Sequence, residues 1–436
     1  MKQLVFTFIL LLTIAIFIYS VSKIIALIKL SKKTYPIKDI GKRIMMTLDV
    51  AFFQSKIFRR PIIGFMHAMV FWGFMVICLG TIEMTIDGIF GTERILSKLG
   101  IVYDIISASG DIFGLIVLIA IIVFLVRRIF LHIKRFNGVE MIKKHHIDAN
   151  IALSIILLLM VSLLSMNASY CALYTGKEIT GTYPIGMFLA SLFSSMGEST
   201  LYIVYQISWW AHILLVFFFA NYLPYSKHFH VFMSIPNVFV SRLEPLGKLY
   251  NMESVTKEVR IMMDPNLAYA TPAADAAPPE RFGVKDIEDG TWKNYVDSLS
   301  CTQCGRCTSV CPANITGKLL SPRKIFIDYR ARMNDKGSKL LKNKEYTDNK
   351  SFIRDYITEE EIWACTTCNA CAQECPVNIN HPSLIVDMRR YLAMEEGSVP
   401  TGIKMIFSNI ENNGAPWQYS PQDRLLWAQD LVMNKN

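Results

Sequence analysis

The sequence predicts an all-α protein in two parts: five membrane-spanning helices, then a helical, cysteine-bearing domain. Three observations carry this. Apolar residues are concentrated in the first 230 positions, they fall into five long runs, and eight of the ten cysteines lie in two short motifs beyond them.

The runs cover 4–27, 62–86, 101–126, 151–170 and 202–223, each near the twenty or so residues needed to cross about 30 Å of hydrocarbon. The first is not read as a signal peptide. Only Lys2 precedes it, it is too long, it lacks a small-residue cleavage site, and a basic cluster follows. Orientation follows the lysines and arginines. The loop after the first span carries Lys29, Lys32, Lys33, Lys38, Lys42, Arg43, Lys56, Arg59 and Arg60, and the loop after the third carries Arg127, Arg128, Lys134, Arg135, Lys143 and Lys144. The other two loops offer Arg94, Lys98 and Lys177. The N-terminus is therefore expected outside, and everything after the fifth span cytoplasmic, in a multi-pass protein of the cell inner (cytoplasmic) membrane. The net charge of +9 is that of this inner surface. No nucleic-acid-binding motif accompanies it, so nucleic acid is excluded as a partner.

Four segments are expected: a membrane domain over 1–232, an amphipathic stretch and linker over 233–285, a soluble domain over 286–395 and a tail over 396–436. The amphipathic part should lie on the inner membrane face, and the Ala/Pro-rich run at 270–279 should be extended.

The soluble domain holds Cys301, Cys304, Cys307 and Cys311 before Pro312, and Cys365, Cys368, Cys371 and Cys375 before Pro376. Each set reads C-x2-C-x2-C-x3-C-P, the run that holds a 4Fe-4S cluster, with the fourth cysteine serving the other cluster. Cluster one is assigned Cys301, Cys304, Cys307 and Cys375, and cluster two Cys365, Cys368, Cys371 and Cys311. Zinc sites favour two separated C-x2-C pairs, and a reducing compartment disfavours disulfides. The stretch between Cys311 and Cys365 shows little strand patterning, so helices are expected there, as in a helical ferredoxin.

His212 and His230 are 18 residues apart, which on one continuous helix makes five whole turns. Both imidazoles would then face one side, about 27 Å apart along the axis. His67, near the inner end of the second span, matches His230 in depth, and imidazoles from two helices commonly hold a b-type haem. His67 and His230 are the first candidate pair. His67 with His212 is the alternative if the second span starts earlier. No second histidine lies at the depth of His212, so an outer haem would need Met75, Met84, Met166 or a partner chain. His228 points away on the same helix, and His132, His145 and His146 are expected to be solvated.

The segment Trp209-Trp210-Ala-His212, with Leu223-Pro224-Tyr-Ser226-Lys227-His228-Phe-His230, resembles the last helix of the nitrate reductase gamma superfamily, which includes the membrane cytochrome b subunit of heterodisulfide reductase. That resemblance implies a haem b domain in which His212 and His230 each serve one haem. The superfamily's earlier helix carries two histidines ten apart. Here His67 matches the inner one and Ile77 stands in the place of the other. The soluble part is similar to heterodisulfide reductase-like proteins, including the membrane electron-transfer-flavoprotein:menaquinone oxidoreductase, in Cys301-Thr-Gln-Cys304-Gly-Arg-Cys307, Thr316-Gly317-Lys318, Ser321-Pro322-Arg323, Trp363-Ala-Cys365 and Arg389-Arg390. The segment 409–417, with Arg424 and Trp427, resembles the lead into a cysteine-rich CCG domain. The sequence contains no such domain, which implies a catalytic half on another subunit.

Together these readings imply a membrane electron-transfer subunit. It would link menaquinone or another quinone, haem b and two 4Fe-4S clusters to a cytoplasmic CCG-type or flavoprotein partner. A quinone site facing outward would have Glu83, Asp87, Glu93, Lys177 and Glu178 as candidate proton groups, and the aromatic tail would dock the partner. The alternatives are a copper-reducing maturation protein for cytochrome oxidase, disfavoured because no run of strands follows Cys375, and a structural anchor for a redox complex.

Overall fold

The computed structural model describes residues 1–193, 195–264, 266, 281–429 and 431. Its first part contains five helices long and apolar enough to cross a membrane: α1 (Lys2–Leu30), α2 (Pro61–Phe90), α3 (Ile101–Ile129), α4 (Lys143–Leu173) and α5 (Glu198–Tyr222). They overrun the apolar runs at their ends, where local signals set the limits. Pro61 starts α2, and Gly91 at φ 72° stops it. The central helix, α4, is packed between α3 and α5. The outer helix α1 leaves Leu4, Phe8, Leu11 and Ile18 exposed, an apolar surface suited to lipid. Where helices cross, small residues let backbones approach: a Cβ at Gly73 would stand 2.7 Å from Val117, and one at Gly88 2.5 Å from the Phe6 ring.

After α5 the helix breaks. Pro224 has no N–H to continue the ladder, and two 3-10 turns, Leu223–Tyr225 and Lys227–Phe229, lead into α6 (His230–Phe239). The Ser226 hydroxyl caps the second turn by accepting the His228 N–H at 3.1 Å. The second part comprises α7 (Trp292–Ser300), α8 (Pro322–Arg332), α9 (His381–Met394), α10 (Thr401–Asn413) and short turns between them. Among the described residues β structure is limited to two isolated bridges, so the all-α expectation holds. The linker expected at 270–279 lies outside the described residues.

Ile325, Phe326, Tyr329, Leu384 and Ile385 form a core continuous with Leu27, Val50, Leu223, Phe229 and Val238 at one end of the bundle. The cysteine-bearing domain therefore sits directly on the bundle end that carries the basic loops. The start of the 233–285 stretch is interior rather than laid on a membrane face. Asn237 is fully buried, donating to Val377 O at 2.9 Å and accepting from Lys293 Nζ at 2.9 Å.

The polar centre of this contact is Arg323 of α8. Its Nε donates to Glu140 Oε1 at 2.7 Å, and its Nη1 donates to Arg135 O at 2.8 Å, both on the loop between α3 and α4. Burial by itself would raise the Glu140 carboxyl, but Arg323 and the Ser321 hydroxyl outweigh it and hold the group below its usual range. Arg323→Met leaves Glu140 buried without its cation and is expected to cost about 3–5 kcal/mol. Arg323→Met combined with Glu140→Leu should cost less than Arg323→Met alone. Thermal unfolding of the detergent-solubilised chain measures both.

Candidate functional site

Cys301 ends α7, and its motif continues through a loop into the turn Arg306–Ser309. The bend at Gly305 requires glycine. Its φ is +72°, and a Cβ there would meet Arg135 O at 2.3 Å. Asn369, at φ 61°, makes the equivalent bend before the turn Ala370–Glu374 that carries Cys371. Proline follows the last cysteine of each motif and turns the chain away.

Thiols of the two motifs lie within electrostatic reach of each other. Burial raises the Cys307 thiol, and the charges of Cys304, Cys301, Cys375 and Cys371 raise it further. Burial likewise raises Cys371, whose neighbouring thiol charges are Cys365, Cys311 and Cys368. A cavity lies among Cys311, Cys365, Cys368 and Cys371, walled by Leu320, Pro322 and Ile385. Burial pushes Cys301 up to about 11 and Cys375 up to about 12, so the packed thiols resist ionising together without a cationic core. A 4Fe-4S core, bound at four corners by thiolates, fits that donor set. Among the described residues no group of three or more His, Cys, Asp or Glu converges as a single ion would require. Backbone amides point at sulfur in both motifs, Ile379 N to Cys375 Sγ and Thr367 N to Cys365 Sγ, each at 3.4 Å.

Below the cysteines, two histidines approach each other in the bundle end. His67, in the second turn of α2, donates from Nδ1 to Gln54 Oε1 at 3.0 Å, and His230, at the start of α6, donates from Nδ1 to Lys227 O at 3.3 Å. Their rings are close enough for their charges to interact. Anchoring Nδ1–H in this way presents Nε2 as the lone-pair nitrogen, the usual arrangement of a metal-bound imidazole. Each imidazole therefore has the donor chemistry of a haem ligand. The break at Pro224 corrects the expectation of one continuous helix from His212 to His230, and proximity to His67 now rests on the turns. The His228 ring is 5.8 Å from that of His230. His145, expected to be solvated, is half-buried, with Nδ1 3.2 Å from Gln303 Nε2 in the Cys301–Cys304 loop. Nothing in the local sequence signals that contact.

His212 lies toward the opposite end of the bundle, its Nδ1 donating to Leu159 O at 3.0 Å. It lines a cavity with Ile77, Gly80, Met84, Met166 and Trp209, and Glu83, Asp87, Arg94 and the buried Tyr103 line the same space. Met75 faces outward and is exposed. Glu83 accepts from Leu96 N at 3.0 Å and from Tyr103 OH at 3.3 Å. Asp87 accepts from Thr92 Oγ1 at 2.5 Å and from Arg94 N at 2.8 Å. Lys177 pairs with Glu198 at 3.6 Å on an exposed surface.

Residues 297–379 match the family model of a 4Fe-4S dicluster domain. The chain is 29% identical to the probable iron-sulfur-binding oxidoreductase FadF of Bacillus subtilis over 95% of its own length, and 30% identical to the EtfAB:quinone oxidoreductase of Syntrophomonas wolfei over 97%. It spans 59% of the length of each of these two relatives. A 103-residue part, 23% of the chain and 50% of the relative, is 36% identical to one of the subunits of the ferredoxin/F(420)H(2)-dependent CoB-CoM heterodisulfide reductase of Methanosarcina acetivorans. No solved structure matches.

With ligation crossed as the spacing predicts, Cys301→Ser and Cys375→Ser are expected to disturb the same cluster, and Cys311→Ser and Cys365→Ser the other. Iron should fall from about eight to about four atoms per chain in each variant. Iron analysis with electron paramagnetic resonance of the reduced chains distinguishes the two losses.

Proposed function

We propose that the chain is the membrane electron-transfer part of a quinone-linked iron-sulfur oxidoreductase. It would join a quinone site in the bundle, a haem b held by His67 and His230, and the two cysteine quartets to a soluble redox partner. The approach of His67 and His230 beneath the cysteine quartet of Cys301, Cys304, Cys307 and Cys375 carries this reading. When bound, the clusters and haem supply one-electron carriage, dividing the two-electron chemistry of a quinone into single steps.

The chain's own residues do the positioning. Gln54 and the Lys227 carbonyl fix the two imidazoles, while His145 and Lys227 hold the Gln303 side chain beside Cys301. The cavity at the far end offers apolar walls and one anchored imidazole, His212, which suits a quinone headgroup. Glu83 and Tyr103, hydrogen-bonded to each other in its lining, would pass protons outward. Met84 and Met166 line the same space, so a second haem on His212 and methionine is the competing occupant. The positive loops favour an inner-membrane orientation with the cysteines in the cytoplasm.

The partner reading rests on the activities named for the relatives and on the tail. Met405, Phe407, Ile410, Trp417, Tyr419 and Trp427 leave 401–427 broadly apolar and exposed, a surface suited to a flavoprotein or heterodisulfide-reductase-like subunit. The exposed Cys368 marks the quartet nearer solvent.

The purified chain is expected to show a b-type reduced-minus-oxidised spectrum that a menaquinol analogue elicits. Gln54→Leu should weaken haem retention roughly 10–100-fold, and His67→Ala should abolish it. A full haem complement in His67→Ala would refute the ligand pair. Two haems per wild-type chain would favour the second occupant of the outer cavity.

A further inference from the structure

We infer that cations contributed largely by the membrane loops poise cluster one, the quartet of Cys301, Cys304, Cys307 and Cys375, at a higher potential than cluster two, so that electrons run downhill toward the membrane. This rests on the electron-transfer reading above. It adds a direction, which the cysteine spacing does not contain.

The surroundings of the two quartets differ in charge. Arg306, next to Cys307, is buried and donates to Lys56 O at 3.0 Å and Ile57 O at 3.3 Å. Lys56 Nζ donates to Asn378, three residues past Cys375, at 2.6 Å. Lys227 Nζ donates to Gln303, between Cys301 and Cys304, at 3.3 Å, and Arg323 Nη1 donates to Gln303 O at 3.4 Å. The field of Cys304 reaches Arg135, and that of Cys301 reaches Arg330. Carboxylates offset part of this: Glu140 pairs with Arg323, Glu374 pairs with Arg59 and Arg60 at 3.5 and 3.8 Å, Asp148 acts on Lys227 and Arg330, and Asp49 acts on Lys56. Lys56, Arg306 and Arg330 donate to carbonyl and amide oxygens, which leave their charge in place. At cluster two the cation against the cysteines is Arg389, which donates to the Cys365 carbonyl.

Cluster potential follows net charge, hydrogen bonds to sulfur and exposure to solvent. Amide donors serve both quartets, Gln303, Val377 and Ile379 in one and Ala313, Asn314, Thr367 and Ala372 in the other, so they offset little of the difference in charge. Solvent at the exposed Cys368 also favours the reduced form of cluster two. Water reorients and screens, however, whereas cations fixed in a low-dielectric interface act at closer to full strength. The step itself moves one electron: cluster two is oxidised, cluster one is reduced, and no bond or proton changes.

The test is a redox titration of the detergent-solubilised full chain, followed by electron paramagnetic resonance. Two waves are expected, with Cys301→Ser removing the higher and Cys365→Ser the lower. Lys56→Met and Arg306→Gln should each lower the higher wave and leave the other in place, while Arg389→Gln should lower only the lower wave. Either variant, Lys56→Met on the membrane loop or Arg306→Gln within the cysteine motif, suffices if the other fails to assemble. Coincident waves, a reversed order, or a lower wave that follows Lys56→Met would overturn the inference. Absence of both clusters from a folded chain would instead overturn the reading it rests on.

Discussion

Arg323 is the interaction on which the remaining arrangement depends. One guanidinium binds Glu140 and the Arg135 carbonyl on a loop of the bundle, and the Gln303 carbonyl inside the first cysteine motif. Electron transfer falls steeply with distance, so a cysteine domain merely tethered to the bundle would exchange electrons only in rare close poses. A buried ion pair is a poor source of net stability but a strong source of register, because its partners tolerate no other neighbour. Gly305 packs on the Arg135 carbonyl at the same place, so shape and charge specify one docking geometry.

That geometry is continued in the membrane part by a defect rather than by regular helix. A continuous helix through Pro224 would carry His230 further along the axis of α5. Instead the proline and the Ser226 cap fold the chain through two tight turns, and His230 comes to rest opposite His67. The turns also free the Lys227 carbonyl to hold the His230 ring and send the Lys227 amine toward Gln303. One local break thus serves both the imidazole pair and the nearest cysteine loop.

Legibility in the sequence follows the range of each interaction. Cysteine motifs are written in spacings of two and three residues, so a 4Fe-4S dicluster domain can be read directly. The five spans can be read because lipid demands long apolar runs whatever the tertiary fold. The pairing of His67 with His230 is expected from depth alone, an expectation that does not need the helical phase interrupted at Pro224. Helical phase itself misleads here, because it holds only if Pro224 is tolerated within a helix, and the chain breaks at that residue. His145 bonding Gln303, and Glu140 bonding Arg323, join positions more than 150 residues apart. Neither has a local signature, so in sequence both look like loop polarity.

The basic loops answer to two demands at once. Lysines and arginines near span ends bias orientation in the membrane, a role for which their exact positions matter little. Lys56, Arg59, Arg60 and Arg135 are not placed loosely: three hydrogen-bond or pair with residues flanking Cys307 and Cys375, and the carbonyl of the fourth packs on Gly305. Positive charge needed for topology is thereby concentrated where an iron-sulfur cluster, anionic once its four thiolates are counted, would otherwise face a low-dielectric bundle end. A net anion beside lipid is costly, and these cations lower that cost. The charge asymmetry that marks one side of the membrane is then the same asymmetry that makes that side habitable for the first cysteine quartet.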